Sequence, residues 1–183
     1  MRLRTLISLA VLVGASPAIA DDAAHRQLGP HEHGHGALNI AIEGAKVTLE
    51  LEVPGDDIAG FEHKAVTDQD KATIAKVTGL LSKPLAMFQM PEAAGCALLN
   101  EKVEIAPEKQ QPSAAVEPGE HSEFHNFYTL ECKAPAALLS VGFDYFKQFE
   151  HAQSLTVTII SDKGQSHFDV TRDNPQIDLK AIM

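Results

Sequence analysis

Six of the nine histidines in this 183-residue chain fall in three short clusters whose spacing suits metal chemistry. HEHGHG, residues 31–36, carries His31, His33 and His35; HSEFH, residues 121–125, carries His121 and His125; GFEH, residues 60–63, ends in His63. Imidazole nitrogen is a good donor to borderline-soft ions, so the ion indicated is Zn²⁺ first, with Cu²⁺ or Ni²⁺ next. A high-affinity amino-terminal copper site would place histidine third in the exported chain, whereas DDAAH has it fifth.

The first cluster also reads H-E-x-x-H. In a zinc hydrolase that pattern lies on a helix, which aims two imidazoles at one metal while Glu polarises the water. Pro30 before it, Gly34 within it and Gly36 after it disfavour a helix here. In an extended backbone His31, His33 and His35 point to one side, because side chains alternate with period two. Successive same-face residues then stand about 6.6 Å apart, while each imidazole must come within about 2.0–2.1 Å of zinc. One or two ligands from this string plus a distant partner is the comfortable arrangement.

HSEFH supplies such partners. Its odd positions His121, Glu123 and His125 share one face of a strand, opposite Phe124 and Tyr128, and GFEH adds Glu62 and His63. The competing reading of HSEFH is surface polarity on a half-buried strand, and of His63 a structural hydrogen bond. His25, His151 and His167 are isolated and read as ordinary surface residues. No G-x-S-x-G, no Cys–His nucleophile pair and no phosphate-cradling glycine loop accompanies the histidines, so no enzyme activity is expected.

The elements that position these clusters follow from patterning. Residues 1–20 place Arg2 and Arg4 before a short apolar run and end in Ala18-Ile19-Ala20, which predicts a signal peptide and export to the periplasm. The apolar run is shorter than the ~20 residues a membrane span needs, and no other stretch is longer. Removing it takes Arg2 and Arg4 from the 15 basic residues and none of the 25 acidic ones, so the formal charge of −10 becomes about −12. Nucleic acid is an improbable partner for such a surface. Residues 21–36 then form a histidine-containing segment before one domain over 37–183.

Within that domain ALNIAIEGAKVTLELEV, residues 37–53, alternates cleanly about Gly44-Ala45. A two-residue hairpin there pairs Ile42 with Val47, Ile40 with Leu49 and Leu38 with Leu51. Thr67 as N-cap, Asp70 three residues on, and Ile74, Val77 and Leu81 predict a helix over about 68–83. A strand is expected after Cys96 and another over 122–132, with Phe124, Asn126, Tyr128, Leu130 and Cys132 on one side. The proline-bearing stretch 107–120 between them is an exposed loop. LLSVGFDYFKQFEH fits either a helix or a short strand followed by a helical turn, and SLTVTIIS with SHFDVT forms a last hairpin. Cys96 and Cys132, alone in an exported chain, pair as one disulfide. The fold class is α+β: a single domain with a largely antiparallel sheet and one or two helices.

HEHGHGALNIAIEG, LELEVPGDDIAGFEH, PEAAGC, HSEFHNFYTLEC and the GQ of the last hairpin, in that order, resemble the ZrgA-type zinc-uptake proteins over most of the chain after the signal. The resemblance implies a periplasmic protein that captures zinc beside a transporter, with ligands in the two larger histidine motifs. This chain departs from the family in one respect. Such proteins commonly carry a long His/Asp-rich tract between the cysteines, whereas here PEKQQPSAAVEPG holds no histidine. That places zinc binding on the domain itself. Two other classes are a cell-envelope interaction module with incidental histidines, and the zinc hydrolase that a helix over 31–35 would require.

Overall fold

Strands β1 (His35–Glu43) and β2 (Lys46–Pro54) form the predicted hairpin, with Ile42 facing Val47, Ile40 facing Leu49 and Leu38 facing Leu51. Gly44 in its turn has φ 60°, a left-handed value that a two-residue turn favours and that suits glycine. The computed structural model describes residues 33–107 and 122–183. The signal segment, His31 and His121, and the loop expected at 107–120 apart from Pro107, lie outside the described residues.

After the hairpin the chain runs through α1 (Gly55–Ala59), α2 (Asp68–Leu81), α3 (Pro84–Met87), β3 (Phe88–Gln89), β4 (Cys96–Pro107), β5 (Ser122–Cys132), β6 (Ser140–Phe143), α4 (Tyr145–Gln148), β7 (Ser154–Ser161), β8 (Gly164–Thr171) and β9 (Gln176–Asp178). Six strands make the main sheet in the order β4-β5-β2-β1-β7-β8, and β3-β6-β9 make a small second sheet. Every pairing is antiparallel except β1 with β7. The α+β expectation therefore holds, with one parallel contact where the last hairpin docks on the first.

The alternation decides which face of the main sheet is buried. Leu38, Leu51, Val53, Phe124, Leu130, Leu155 and Val157 lie on the inner face with no exposed surface, joined by Val77 and Leu81 of α2. Each such side chain stabilises the fold by about 1.5–3 kcal/mol relative to exposure. The intervening residues, among them His35, Asn39, Glu50, Glu52, His125 and Phe127, point to the opposite face, which stays accessible.

Thr67 and Asp70 form the reciprocal cap predicted for α2, Thr67 Oγ1 accepting from the Asp70 amide and the Asp70 carboxylate accepting from the Thr67 amide. The helix ends at Leu81, two residues short of expectation, because Pro84 opens α3 as its first residue instead of closing α2. LLSVGFDYFKQFEH resolves as a strand, β6, followed by the single helical turn α4. Cys96 and Cys132 are bonded and stand directly opposite each other in the β4–β5 ladder.

Candidate metal centre

The topology brings the histidine motifs to one end of the main sheet. β2 alone separates β1 from β5, so His35 and His125 come onto nearby strands although about ninety positions divide them in sequence. Across the accessible face one row reads Ala37, Glu52, His125 and Glu104, each directly opposite the next. One step nearer the strand ends, Pro54 lies opposite Glu123, and His35 stands two residues before Ala37 on the same face. Two strand spacings, about 9.6 Å of backbone, separate the row positions of β1 and β5.

His125 is flanked by carboxylates at both ring nitrogens. Glu52, from the adjacent strand, puts Oε1 3.4 Å from Nδ1, and Glu123, two residues back on the same strand, puts Oε2 2.6 Å from Nε2. The two distances differ in kind. Two donors bound at 2.0–2.1 Å to one tetrahedral zinc stand about 3.3 Å apart, which the Nδ1–Glu52 separation matches. At 2.6 Å the Nε2–Glu123 contact is instead a short, charge-assisted hydrogen bond. Glu123 and His125 are both well shielded from solvent, and Glu52 is partly so.

A second cluster gathers around the start of β1. His33 Nε2 lies 3.3 Å from Glu62 Oε1, again about the separation of two donors on one tetrahedral zinc. His63 stacks on Phe61 with ring centroids 4.6 Å apart, and its Nδ1 lies 3.1 Å from the Lys64 carbonyl oxygen. A proton on Nδ1 makes that contact and leaves Nε2 as the donor. His35 Nδ1 pairs with the Ser154 hydroxyl, again leaving Nε2. His151, read from the sequence as isolated, comes to the same corner with Nδ1 3.6 Å from Asp56 Oδ2.

The extended string predicted through HEHGHG is interrupted at Gly34. Its φ is +87°, and His33 and Gly34 form a turn, with β1 beginning only at His35. His33 and His35 therefore do not continue one alternating face, and neither lies on a helix, which removes the structural requirement of the hydrolase reading at these positions. The reason is hydrogen bonding: the Gly34 amide donates to Asp57 Oδ1 at 2.6 Å, while its carbonyl accepts from the amides of Gln153 and Ser154, both at 2.9 Å.

Asp57 was not legible as a site residue. It is 2% exposed, and burial pushes its carboxyl above the ordinary carboxylate range, opposed by the Gly34 amide and by the nearby His33 and His35. Glu52 carries no local signal in the sequence, because the pairing of β2 with β5 cannot be deduced from either segment alone. Its position opposite His125 needs that long-range register.

Among the described residues no three His, Cys, Asp or Glu side chains converge on one point. The donors come instead as His–carboxylate pairs, with oxygen and imidazole chemistry suited to zinc. Also among the described residues, no helix is long and apolar enough to cross a membrane.

An α+β domain stapled by one disulfide, displaying paired imidazoles and carboxylates at one sheet end, has the makings of a metal-binding protein. Residues 30–179 match the family described as ZrgA family zinc uptake protein, and the chain belongs to that family. No curated protein matches it.

Proposed function

We propose that the protein is an exported, periplasmic zinc-binding protein without enzymatic activity, capturing Zn²⁺ and working beside a zinc transporter or its binding protein. Zinc is the cargo, and Cu²⁺ or Ni²⁺ are weaker competitors for the same donors. The carrying observation is His125, held between Glu52 at 3.4 Å and Glu123 at 2.6 Å. Zinc takes Nδ1 of His125 and the Glu52 carboxylate. Glu123 accepts a hydrogen bond from the Nε2–H and so keeps the Nδ1 lone pair directed at the metal.

His33 with Glu62 is proposed as the second zinc-binding pair, with His35 and His63 as further candidate donors. His31 and His121 are proposed as further ligands from the sequence pattern, and water fills whatever remains of each coordination shell. Family membership supports the uptake role. The signal-like first 20 residues and the acidic composition support a soluble life outside the cytosol.

Calorimetric titration of the metal-free exported form with Zn²⁺ tests this reading. Saturable binding is expected, lost in part with His125→Ala and in part with His33→Ala. No saturable binding, or binding indifferent to both substitutions, overturns it. Growth in low zinc tests the uptake role: any benefit from the protein should vanish when the transporter is deleted.

A further inference from the structure

We propose that Asp57 is a positioning residue for zinc: by accepting the Gly34 amide it fixes the turn that sets the spacing of His33 and His35. The assignment rests on the zinc reading above and adds a residue outside the histidine motifs. Gly34 is the single residue between the two imidazoles, and at φ +87° it could swing them apart or together if left free. It is not free. Asp57 Oδ1 holds its amide at 2.6 Å from the α1 side, and the amides of Gln153 and Ser154 hold its carbonyl at 2.9 Å from the β7 side.

Both holders are themselves anchored. Asp57 is buried, so its carboxylate has little room to change rotamer. The segment before β7 is fixed by Arg172, whose guanidinium donates to the carbonyls of Phe146, Phe149, Glu150 and Ala152, while its amide donates to Gln153 at 3.0 Å. One side chain thus ties down the residues that hold the Gly34 carbonyl. Burying a carboxylate for one backbone amide costs stability, which singles the bond out as one not explained by stability alone. Asp57 Oδ2 has no hydrogen-bond partner among the described residues, so Oδ1 and Gly34 account for its placement. Both peptide groups between the two histidines are thereby set before metal arrives, which lowers the ordering cost of binding.

The test compares wild-type protein with Asp57→Ala and Asp57→Asn, using competition with a chromophoric chelator for zinc affinity and the visible spectrum of the Co²⁺-loaded protein for geometry. Asp57→Ala should weaken zinc by about 10–100-fold, the usual effect of removing a group that orients ligands, and should change the Co²⁺ bands. Asp57→Asn keeps a side-chain oxygen for the Gly34 amide and should restore affinity to within about threefold, as expected if the oxygen's position matters and its charge does not. Wild-type affinity and spectrum in Asp57→Ala overturn the assignment, as does Asp57→Asn behaving like Asp57→Ala. Should the alanine variant fail to fold, hydrogen exchange in the wild-type protein decides: the Gly34 amide should be protected with and without zinc, and rapid exchange in the metal-free state overturns the proposal. Absence of zinc binding by the wild-type protein overturns the zinc reading and this assignment together, whereas equal binding by wild type and Asp57→Ala overturns this assignment alone.

Discussion

Glu123→Gln separates a carboxylate that works on a histidine from one that merely neighbours it. Glu123 Oε2 lies 2.6 Å from His125 Nε2, so on the zinc reading the carboxylate accepts a hydrogen bond from Nε2–H and leaves Nδ1, 3.4 Å from Glu52 Oε1, for the metal. Glutamine has nearly the same volume and keeps the packing of this buried position, but it carries no charge and presents an amide NH₂ as well as an oxygen. With the NH₂ toward Nε2, the imidazole proton moves to Nδ1 and blocks the metal. With the oxygen toward Nε2, the tautomer survives but the ring becomes a poorer donor. Either way zinc should bind about 10–100-fold more weakly, equivalent to about 1.4–2.7 kcal/mol. Chelator competition measures the affinity, and a thermal melt of the metal-free variant checks that the fold is intact. In wild-type protein the ¹⁵N shifts of the His125 ring should report a proton on Nε2. Unchanged zinc affinity in a folded Glu123→Gln protein, or a wild-type ring protonated on Nδ1 alone, refutes the reasoning.

Reduction of Cys96–Cys132, separated by 36 positions, should destabilise the domain by about 4 kcal/mol by freeing the unfolded chain. Cys132 lies nine residues along β5 from Glu123, about 30 Å away, so zinc affinity of the still-folded reduced protein at low temperature should change less than threefold. Thr67→Ala should cost about 0.5–2 kcal/mol in denaturant melts through loss of the α2 N-cap. The same cap gives a pH signature. Bonds from Thr67 hold the Asp70 carboxyl below its ordinary value, so its contribution is present above the unfolded carboxylate range and is lost as pH falls through the lower folded value. Asp70→Asn should flatten that acid limb of the stability curve. Arg172→Met should lower stability by on the order of 3 kcal/mol, because four carbonyls lose a charged donor at once; a loss under 1 kcal/mol would show that water replaces it freely.

What the sequence makes legible depends on how far apart the interacting residues are. The β1–β2 register follows from seventeen consecutive residues, since turn chemistry and alternation both act locally and agree, and the α2 cap follows from Thr67 and Asp70 three positions apart. Alternation also fixes that His35 and His125 leave the core face, because Leu38, Ile40, Phe124 and Tyr128 must enter it. None of this tells which strand lies beside which. Glu52 becomes a partner of His125 only through the β2–β5 ladder, and His151 reaches Asp56 only because β7 docks in parallel on β1. Gly34 defeats the local rule for a related reason. Alternation through HEHGHG assumes that the backbone bonds to neighbouring strands throughout, but the Gly34 amide bonds to a side chain 23 residues away. Glycine lets the chain accept that bond at positive φ, and the histidines on either side then take separate partners, Glu62 and Ser154. The interruption therefore gives His33 and His35 different neighbours at the sheet end, while the turn between them fixes how they stand to each other. A zinc ion bound there has to draw its ligands from several elements, and its affinity should track the stability of the whole domain more closely than an isolated HEHGHG peptide would suggest.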